Sequence, residues 1–275
     1  MNKYCVSYNV FDGVELLEDS INQIKDFVDY ITIIFQTESY WGNKLTQSEI
    51  DIVLKLKENG LINDIFHYKN NIHIEKAQTY KRNLGLKMAR ENGCTHYMTM
   101  DCDEFYTKDD FKTLIDYHEK NTDVVSYIPL EAYYKNTKYM INSEKYMDGD
   151  LYVSGFFPVT NDITFNYPLN IKVDPTRKPN ISNENKIKIW NKSEIMMHHL
   201  SYIRADIYKK INNAFAKFRY KDNQQKFQNI VQCYQNYETN KVALSADGEE
   251  YDIKTLDIPY IILDKYYKNI KYIKK

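Results

Sequence analysis

Residues 95–104 read T-H-Y-M-T-M-D-C-D-E and join an apolar, β-favouring run to a cluster of carboxylates. The first six residues predict a buried strand, because apolar and β-favouring side chains follow one another without a break. Carboxylates this close together repel one another unless positive charge lies among them. The stretch therefore predicts an acidic site at the exit of a strand, where a divalent cation would find oxygen ligands.

Strand and helix patterns alternate on the N-terminal side of this stretch. The patterns predict strands at residues 4–8, 31–35 and 62–68, and helices at 14–30, 47–59 and 79–92. This order favours an α/β fold, a Rossmann-like and mostly parallel sheet flanked by helices. Ligands of such sheets gather at the carboxyl ends of the strands, which is where the acidic cluster lies.

The alternation continues with a helix at residues 108–120 and a strand at 124–129, and then stops. Residues 133–190 are rich in aromatic residues and turn formers, with short β-like pieces at 151–153 and 163–165. We expect a β-rich region here that lines the site of a second substrate. Helical character returns at residues 205–218 and predicts helices towards the C-terminus.

Composition limits the classes of function. The chain has 275 residues with 37 Lys and Arg against 38 Asp and Glu, so its formal charge of −1 argues against nucleic-acid binding. No apolar run approaches the roughly 18 residues that span a bilayer, and the N-terminus lacks the apolar core of a signal peptide. Four scattered cysteines indicate a reducing compartment, so we expect a cytoplasmic protein.

A second cluster, M-M-H-H-L-S-Y-I-R at residues 196–204, places two histidines near an arginine. His198 or His199 could supply an imidazole ligand, and Arg204 could hold a phosphate. The alternative is a histidine pair partly buried in the core, with an ordinary surface arginine. Carboxylates combined with an imidazole suit Mn²⁺ better than Mg²⁺.

Further polar residues fall at the same predicted sheet edge. Asn9 and Asp12 follow the first strand, and Gln36 follows the second; they could contact a nucleobase and ribose. Arg82 and Asn83 open the helix before the acidic strand, where a helix N-terminus and positive charge could face a diphosphate. Polar loops at strand ends are the alternative interpretation.

Taken in order, these segments resemble the GT-A glycosyltransferases, especially bacterial and viral family 2-like enzymes. The stretch K-R-N-L-G-L at residues 81–86, Gly93 and D-C-D-E at 101–104 is similar to their RN-x-G…G…D-x-D-E signature. The stretch M-H-H-L-S-Y-I-R at 197–204 is similar to a later HH-x-S-x-x-R segment. The resemblance covers about the first 215 residues. It implies a nucleotide-sugar donor, a divalent metal on the diphosphate and sugar transfer to a hydroxyl.

The resemblance also implies roles for individual residues. Asp103 would bind the metal directly, while Asp101 would contact the donor ribose or a metal-bound water. His199, or alternatively His198, would complete the metal shell of Mn²⁺ (or Mg²⁺). Arg204 would help to hold the diphosphate.

Other expectations concern the nucleotide and the chemistry. Arg82 would lie near the nucleotide, and a UDP-sugar is the favoured donor. Gln36 stands where many relatives have Asp, so the base stays open. An inverting enzyme needs a general base near the acceptor hydroxyl; Glu131 is the candidate, with Asp148 and Asp150 as weaker ones. A retaining mechanism also stays open.

The resemblance divides the chain into a nucleotide-sugar-binding half (1–130), an acceptor-side and metal-completing half (131–220) and a C-terminal helical extension (221–275). The acceptor would be a glycan, a lipid-linked molecule or a protein. The basic tail at 265–275 would contact the inner face of a membrane peripherally, or form a solvated end. The competing functions are a metal-dependent phosphohydrolase and a non-catalytic nucleotide- or glycan-binding module.

Overall fold

The computed structural model describes two compact units of the chain. The described residues are 2–69, 74–142, 151–165, 174, 176–180, 186–214, 217, 223–257 and 259. One unit comprises Met1–Leu130 with Asp150–Met197, and the other comprises Glu131–Gly149 with His198–Lys275. The assignment of separate roles to residues 1–130, 131–220 and 221–275 stays a prediction.

The first unit is built on a five-stranded sheet in the order β3-β2-β1-β4-β9. The first four of these strands are parallel, and β9 runs antiparallel to β4. Every residue of β1 and β2 is buried, as expected for central strands of a parallel sheet that is covered on both faces. The strands are β1 (Tyr4–Val10), β2 (Tyr30–Gln36), β3 (Asp64–Tyr68), β4 (His96–Asp101) and β9 (Phe157–Pro158).

Four helices connect or follow these strands. Two of them begin at a threonine whose hydroxyl accepts a backbone N–H, which satisfies an otherwise unpaired helix donor: Thr46 before α2 and Thr107 before α4. The predicted α/β fold class, with a mostly parallel sheet flanked by helices, is confirmed. The helices are α1 (Val14–Ile24), α2 (Gln47–Glu58), α3 (Ile74–Glu91) and α4 (Lys108–Lys120).

The helix predicted across residues 14–30 is shorter than expected. It ends at Ile24, a 3₁₀ turn covers Lys25–Phe27, and Tyr30 already belongs to β2. Asp29 explains the early end, because its side chain accepts the backbone N–H of Tyr4 at 2.8 Å and its own N–H bonds the Tyr4 carbonyl. Contacts with β1 therefore outweigh the helical spacing of this segment.

Shorter strands complete the first unit. The long strand β6 (Val124–Tyr134) pairs antiparallel with β8 (Tyr152–Ser154) and parallel with β10 (Lys186–Ile189), while β5 covers only Glu104–Phe105. The β-like piece predicted at 163–165 is not a strand, since only Phe165 forms an isolated bridge, to Pro179.

The second unit combines short strands with helices. It contains the end of β6, with β7 (Tyr139–Ile141) and β14 (Ile253–Thr255) paired antiparallel in turn. Its buried core is rich in tyrosine. The predicted C-terminal helices are present, although short strands follow them. The remaining elements are β11 (Met197–Tyr202), α5 (Ile207–Asn213), α6 (Gln224–Gln235), α7 (Tyr237–Asn240), β12 (Ala243–Leu244) and β13 (Glu250–Tyr251).

No helix in the described part of the chain combines the length and the apolar character needed to cross a membrane. The basic tail at 265–275, proposed from the sequence as a membrane contact, lies outside the described residues.

Candidate functional site

The carboxyl ends of β1 and β4 lie side by side in the first unit. Strand β1 has β2 on one side and β4 on the other, so the order of connection reverses between β1 and β4. Such a reversal opens a crevice at the carboxyl ends of the strands, the usual ligand position in open α/β sheets. Asn9 and Asp101 are direct register partners at this point. Two of the residues predicted for donor binding are thus brought together.

Asn9 presents an unsatisfied amide at this edge. The residue is 7% exposed, and neither its Nδ2 nor its Oδ1 has a hydrogen-bond partner among the described residues. Leaving a buried polar group without a partner costs about 1–3 kcal/mol. Groups of this kind are expected where a ligand supplies the missing hydrogen bonds.

Asp101 is held by two arginines. Arg177 Nη2 donates to Asp101 Oδ2 at 2.5 Å, and Arg82 Nη2 lies 3.4 Å from Oδ1. Burial acts to raise the pKa of Asp101, but the two guanidinium groups outweigh it and hold that pKa below its ordinary value. The predicted acidic site therefore contains its own positive charge.

Arg177 bridges three carboxylates at once. Besides Asp101, it contacts Glu104 through Nη1 and Asp174 through Nε, the latter at 3.0 Å. The side chain is 4% exposed. Burial acts to lower the pKa of Arg177, but the carboxylates outweigh it and raise that pKa well above the ordinary value. Glu104 also accepts the backbone N–H of Asp101 at 2.9 Å. This hydrogen bond closes the turn at residues 101–104, called the acidic turn below.

Arg82 lies beneath β4 because α3 packs unusually close to the sheet. A Cβ at Gly85 would collide with the Ser7 side chain and come within 2.5 Å of the Tyr97 hydroxyl, so only glycine allows this approach. Arg82 is 2% exposed and donates to Thr99 Oγ1 at 2.9 Å. The glycine of the K-R-N-L-G-L stretch thereby places this guanidinium next to the acidic turn.

Asn83 has a structural contact. Its Nδ2 donates to the carbonyl of Phe165 at 2.9 Å, and its Oδ1 accepts the N–H of Phe165 at 2.8 Å. Both ends of the amide are thus used to hold the backbone at Phe165. Helix α3 begins at Ile74, so Arg82 and Asn83 lie inside it and do not open it as predicted. A role for Asn83 in donor binding stays a prediction.

A buried lysine lies near the end of β2. Lys81 Nζ donates to Gln36 Oε1 at 3.2 Å and lies 5.6 Å and 5.9 Å from the ring centroids of Tyr40 and Tyr68. Burial lowers the pKa of Lys81 to about 8, although Asp101 acts to raise it. Lys81 therefore helps to position the Gln36 side chain, and a contact of Gln36 with the nucleobase stays a prediction.

Asp12 is tied to the acidic turn through its backbone. Cys102 Sγ donates to the Asp12 carbonyl at 2.7 Å, which links the loop after β1 to the turn after β4. Asp103 is 4% exposed, so this carboxylate is not the solvated loop residue that the alternative interpretation assumed.

The residues predicted from the second cluster lie in the other unit. His198 is 1% exposed, and its Nδ1 is 2.7 Å from the Tyr133 hydroxyl; burial lowers its pKa to about 4. His199 is its neighbour on β11 and therefore faces the opposite side of the strand. Arg204 is 3% exposed rather than a surface charge. Glu131, on the end of β6, is also 3% exposed, whereas Asp148 and Asp150 fall outside the described residues.

The side chains predicted as metal ligands do not fit the expected Mn²⁺ or Mg²⁺ well. Across the part of the chain that the structure describes, no group of three or more His, Cys, Asp or Glu residues is placed to hold a metal ion. Asp101 and Glu104 both contact Arg177, and a guanidinium among the carboxylates would repel a second cation. The assignment of Asp101, Asp103, His198 and His199 as metal ligands stays a prediction.

Comparisons with known proteins find similarity at the level of structure. No family model matches the chain, and no curated protein matches it. Residues 1–349 of S. aureus TarS are 14% identical, with 87% of this chain and 73% of that one covered at a TM-score of 0.46. The same protein in complex with UDP-GlcNAc is 13% identical, and the alignment covers 87% of this chain and 74% of that one at a TM-score of 0.46. A mannose-1-phosphate geranyltransferase from Thermus thermophilus is 11% identical, and the alignment covers 58% of this chain and 51% of that one at a TM-score of 0.32. Likeness at this level carries no information about function.

Arg177 and Asp174 are site residues that sequence reasoning missed. They lie between β9 and β10 in the chain, and 76 positions separate Arg177 from Asp101. No local pattern marks either residue. The one available indication was the repulsion within the acidic cluster itself, which requires a compensating charge from elsewhere.

Proposed function

We propose that the chain is a GT-A-type glycosyltransferase that moves a sugar from a nucleotide-diphosphate donor to a hydroxyl. A UDP-sugar is the favoured donor, and a glycan, a lipid-linked molecule or a protein is the acceptor. The observation that carries the proposal is the pairing of Asn9, with its unsatisfied amide, and Asp101 at the reversal of strand order.

The polar groups at this edge suit the parts of such a donor. The amide of Asn9 offers a donor and an acceptor to a base or ribose, and the Asp101 carboxylate can accept from a ribose hydroxyl. Arg82 supplies positive charge, and its Nε has no acceptor among the described residues. That guanidinium therefore retains donor capacity for a phosphate oxygen.

Transfer to a hydroxyl also requires a base that removes its proton when the reaction inverts configuration. Glu131 is proposed for this role, as a buried carboxylate on β6. The roles of Arg204 and the two histidines belong to the same proposal, as does the inverting outcome. The expected Mn²⁺ or Mg²⁺ is not used in it, because Asp101 is already ion-paired to two arginines.

Nucleotide binding tests the proposal most directly. Thermal shifts and calorimetry with UDP, GDP and CDP should give stabilisation by at least one nucleotide, with UDP expected to be the strongest. Asn9→Ala should weaken that binding by about tenfold or more, because the hydrogen bonds to the amide are lost. Asn92→Ala is the control, since this exposed asparagine lies in the same unit, away from the sheet edge.

Turnover then separates an enzyme from a binding module. Incubation with a panel of nucleotide sugars should release nucleoside diphosphate above the background of a Glu131→Gln variant. A chain that binds the nucleotide but releases none, with acceptors of all three kinds present, would be a binding module. Full nucleotide affinity in Asn9→Ala would contradict the site.

A further inference from the structure

The acidic turn after β4 carries its own cation, and this observation deepens the proposed function on which it rests. We propose that the Arg177 guanidinium is the permanent counter-ion of the acidic turn and takes the place of a divalent metal among its carboxylates. Nucleotide binding at the β1/β4 edge is then independent of divalent ions.

The contacts of Arg177 use every nitrogen of its guanidinium. Nε faces Asp174 at 3.0 Å, Nη2 faces Asp101 at 2.5 Å, and Nη1 contacts Glu104. The contact with Asp101 is a hydrogen bond, and the other two are ion pairs at short distance. A divalent ion that took the same oxygens would have to displace the arginine or lie beside it.

The fold places Arg177 there through a compact turn. The N–H of Arg177 bonds the carbonyl of Asp174 at 2.9 Å, and the N–H of Asp174 bonds the carbonyl of Tyr152 at 3.0 Å. Asp174 Oδ1 accepts from both the N–H and the hydroxyl of Thr176, at 2.9 Å and 2.8 Å. These hydrogen bonds hold the Asp174 side chain in place. Asp174 therefore acts as a positioning residue for the Arg177 guanidinium.

Charge explains why Arg177 and a divalent metal ion would not occupy the acidic turn together. Asp101, Glu104 and Asp174 contribute three negative charges, and Arg177 is the one residue that contacts all three within the described ranges. Without Arg177, only Arg82 and the more distant Lys81 are seen to offset these carboxylates within the described ranges, so the turn would attract a cation more strongly. With Arg177 present, a divalent ion would be repelled at short range.

Manganese binding to the full-length protein tests the proposal without nucleotide. Calorimetry and the EPR signal of free Mn²⁺ would compare the parent chain with Arg177→Met and Arg177→Lys. We expect Arg177→Met to bind Mn²⁺ about tenfold or more tightly than the parent, because a buried positive charge is lost. Arg177→Lys should stay close to the parent, because it keeps the charge.

The control for loss of a positive charge is Lys186→Met, whose partner Asp123 lies on the surface of the same unit. This variant should leave Mn²⁺ affinity unchanged. Equal Mn²⁺ affinity in the parent and Arg177→Met would overturn the proposal. Circular dichroism would first establish that each variant is folded.

A second measurement needs no variant. The affinity of the parent chain for UDP should be the same in EDTA as in excess Mn²⁺, since ligands that do not interact do not alter each other's affinity. Loss of UDP binding in EDTA would overturn the proposal even if Arg177→Met failed to fold. If UDP binds under neither condition, the proposed function fails, while the manganese comparison still decides the role of Arg177.

Discussion

Both units bury ionisable and aromatic side chains, but the surroundings of the buried ionisable groups differ. At the β1/β4 edge of the first unit, Arg82, Glu104 and Arg177 are all less than 5% exposed and carry full charges. In the second unit, His198 is 1% exposed and stacks on the ring of Tyr133, in a core that also packs Tyr134 against Tyr202. Aromatic packing stabilises a core directly, whereas buried charge is costly unless it is paired. The paired charges at the β1/β4 edge are where the proposed donor site lies.

The largest effect that would sharpen this comparison is expected at Arg177. Arg177→Met should lower the free energy of unfolding by roughly 3–5 kcal/mol, because it leaves carboxylates buried without their counter-ion. Urea denaturation of the purified protein measures the change. Lys186→Met, in an exposed pair with Asp123, should have a much smaller effect, because solvent screens surface ion pairs. Similar losses in both variants would show that the acidic turn is no more sensitive than the surface.

Acid should destabilise the second unit through protonation of His198. Burial lowers the pKa of this histidine to about 4, against an ordinary value of 6.5, so folding favours its neutral form. The stabilisation is therefore complete above pH 6.5 and is lost as the pH falls towards 4. Between pH 7 and pH 5 the loss should be about 2 kcal/mol, from roughly 1.4 kcal/mol for each pKa unit.

A non-titrating variant isolates that contribution. His198→Gln keeps a polar contact for the Tyr133 hydroxyl, and its stability should fall less steeply between pH 7 and pH 5. His118 in the first unit, whose pKa burial lowers to about 3, and His96, whose pKa burial also lowers, contribute acid sensitivity that this variant retains. An unchanged pH dependence in His198→Gln would contradict the assignment.

Local sequence patterns predicted much of the fold, because the residue types that favour strands and helix N-termini lie within those elements themselves. The helix at 108–120 was predicted with the bounds that the structure gives, and Thr107 caps it. The acidic turn was predicted at the end of β4 for the same reason, since an apolar run stops there. Helix α1 was predicted too long because Val28 keeps a helical interval, whereas the pairing of Tyr30 with Cys5 depends on a strand far away along the chain.

The candidate site was predictable only in part. Position at a strand end brought Asn9 and Asp101 together, and such positions can be inferred from the order of strands. Arg177 could not be inferred, because its partner Asp101 lies far away along the chain. Residue type alone also does not distinguish Asn9 from Asn83. Hydrogen bonding distinguishes them, because one amide lacks partners and the other holds a backbone.

That distinction gives the smallest expected effect, a comparison of two asparagine variants in the first unit. Asn83→Ala should lower the free energy of unfolding by about 1–3 kcal/mol, because the Phe165 backbone loses both partners. Asn9→Ala should change it by less than about 1 kcal/mol in either direction, because it removes an amide that makes no hydrogen bond within the described residues. Urea denaturation without nucleotide measures both. A larger loss for Asn9→Ala than for Asn83→Ala would make Asn9 the structural residue and remove the support that its amide gives to a ligand at the β1/β4 edge.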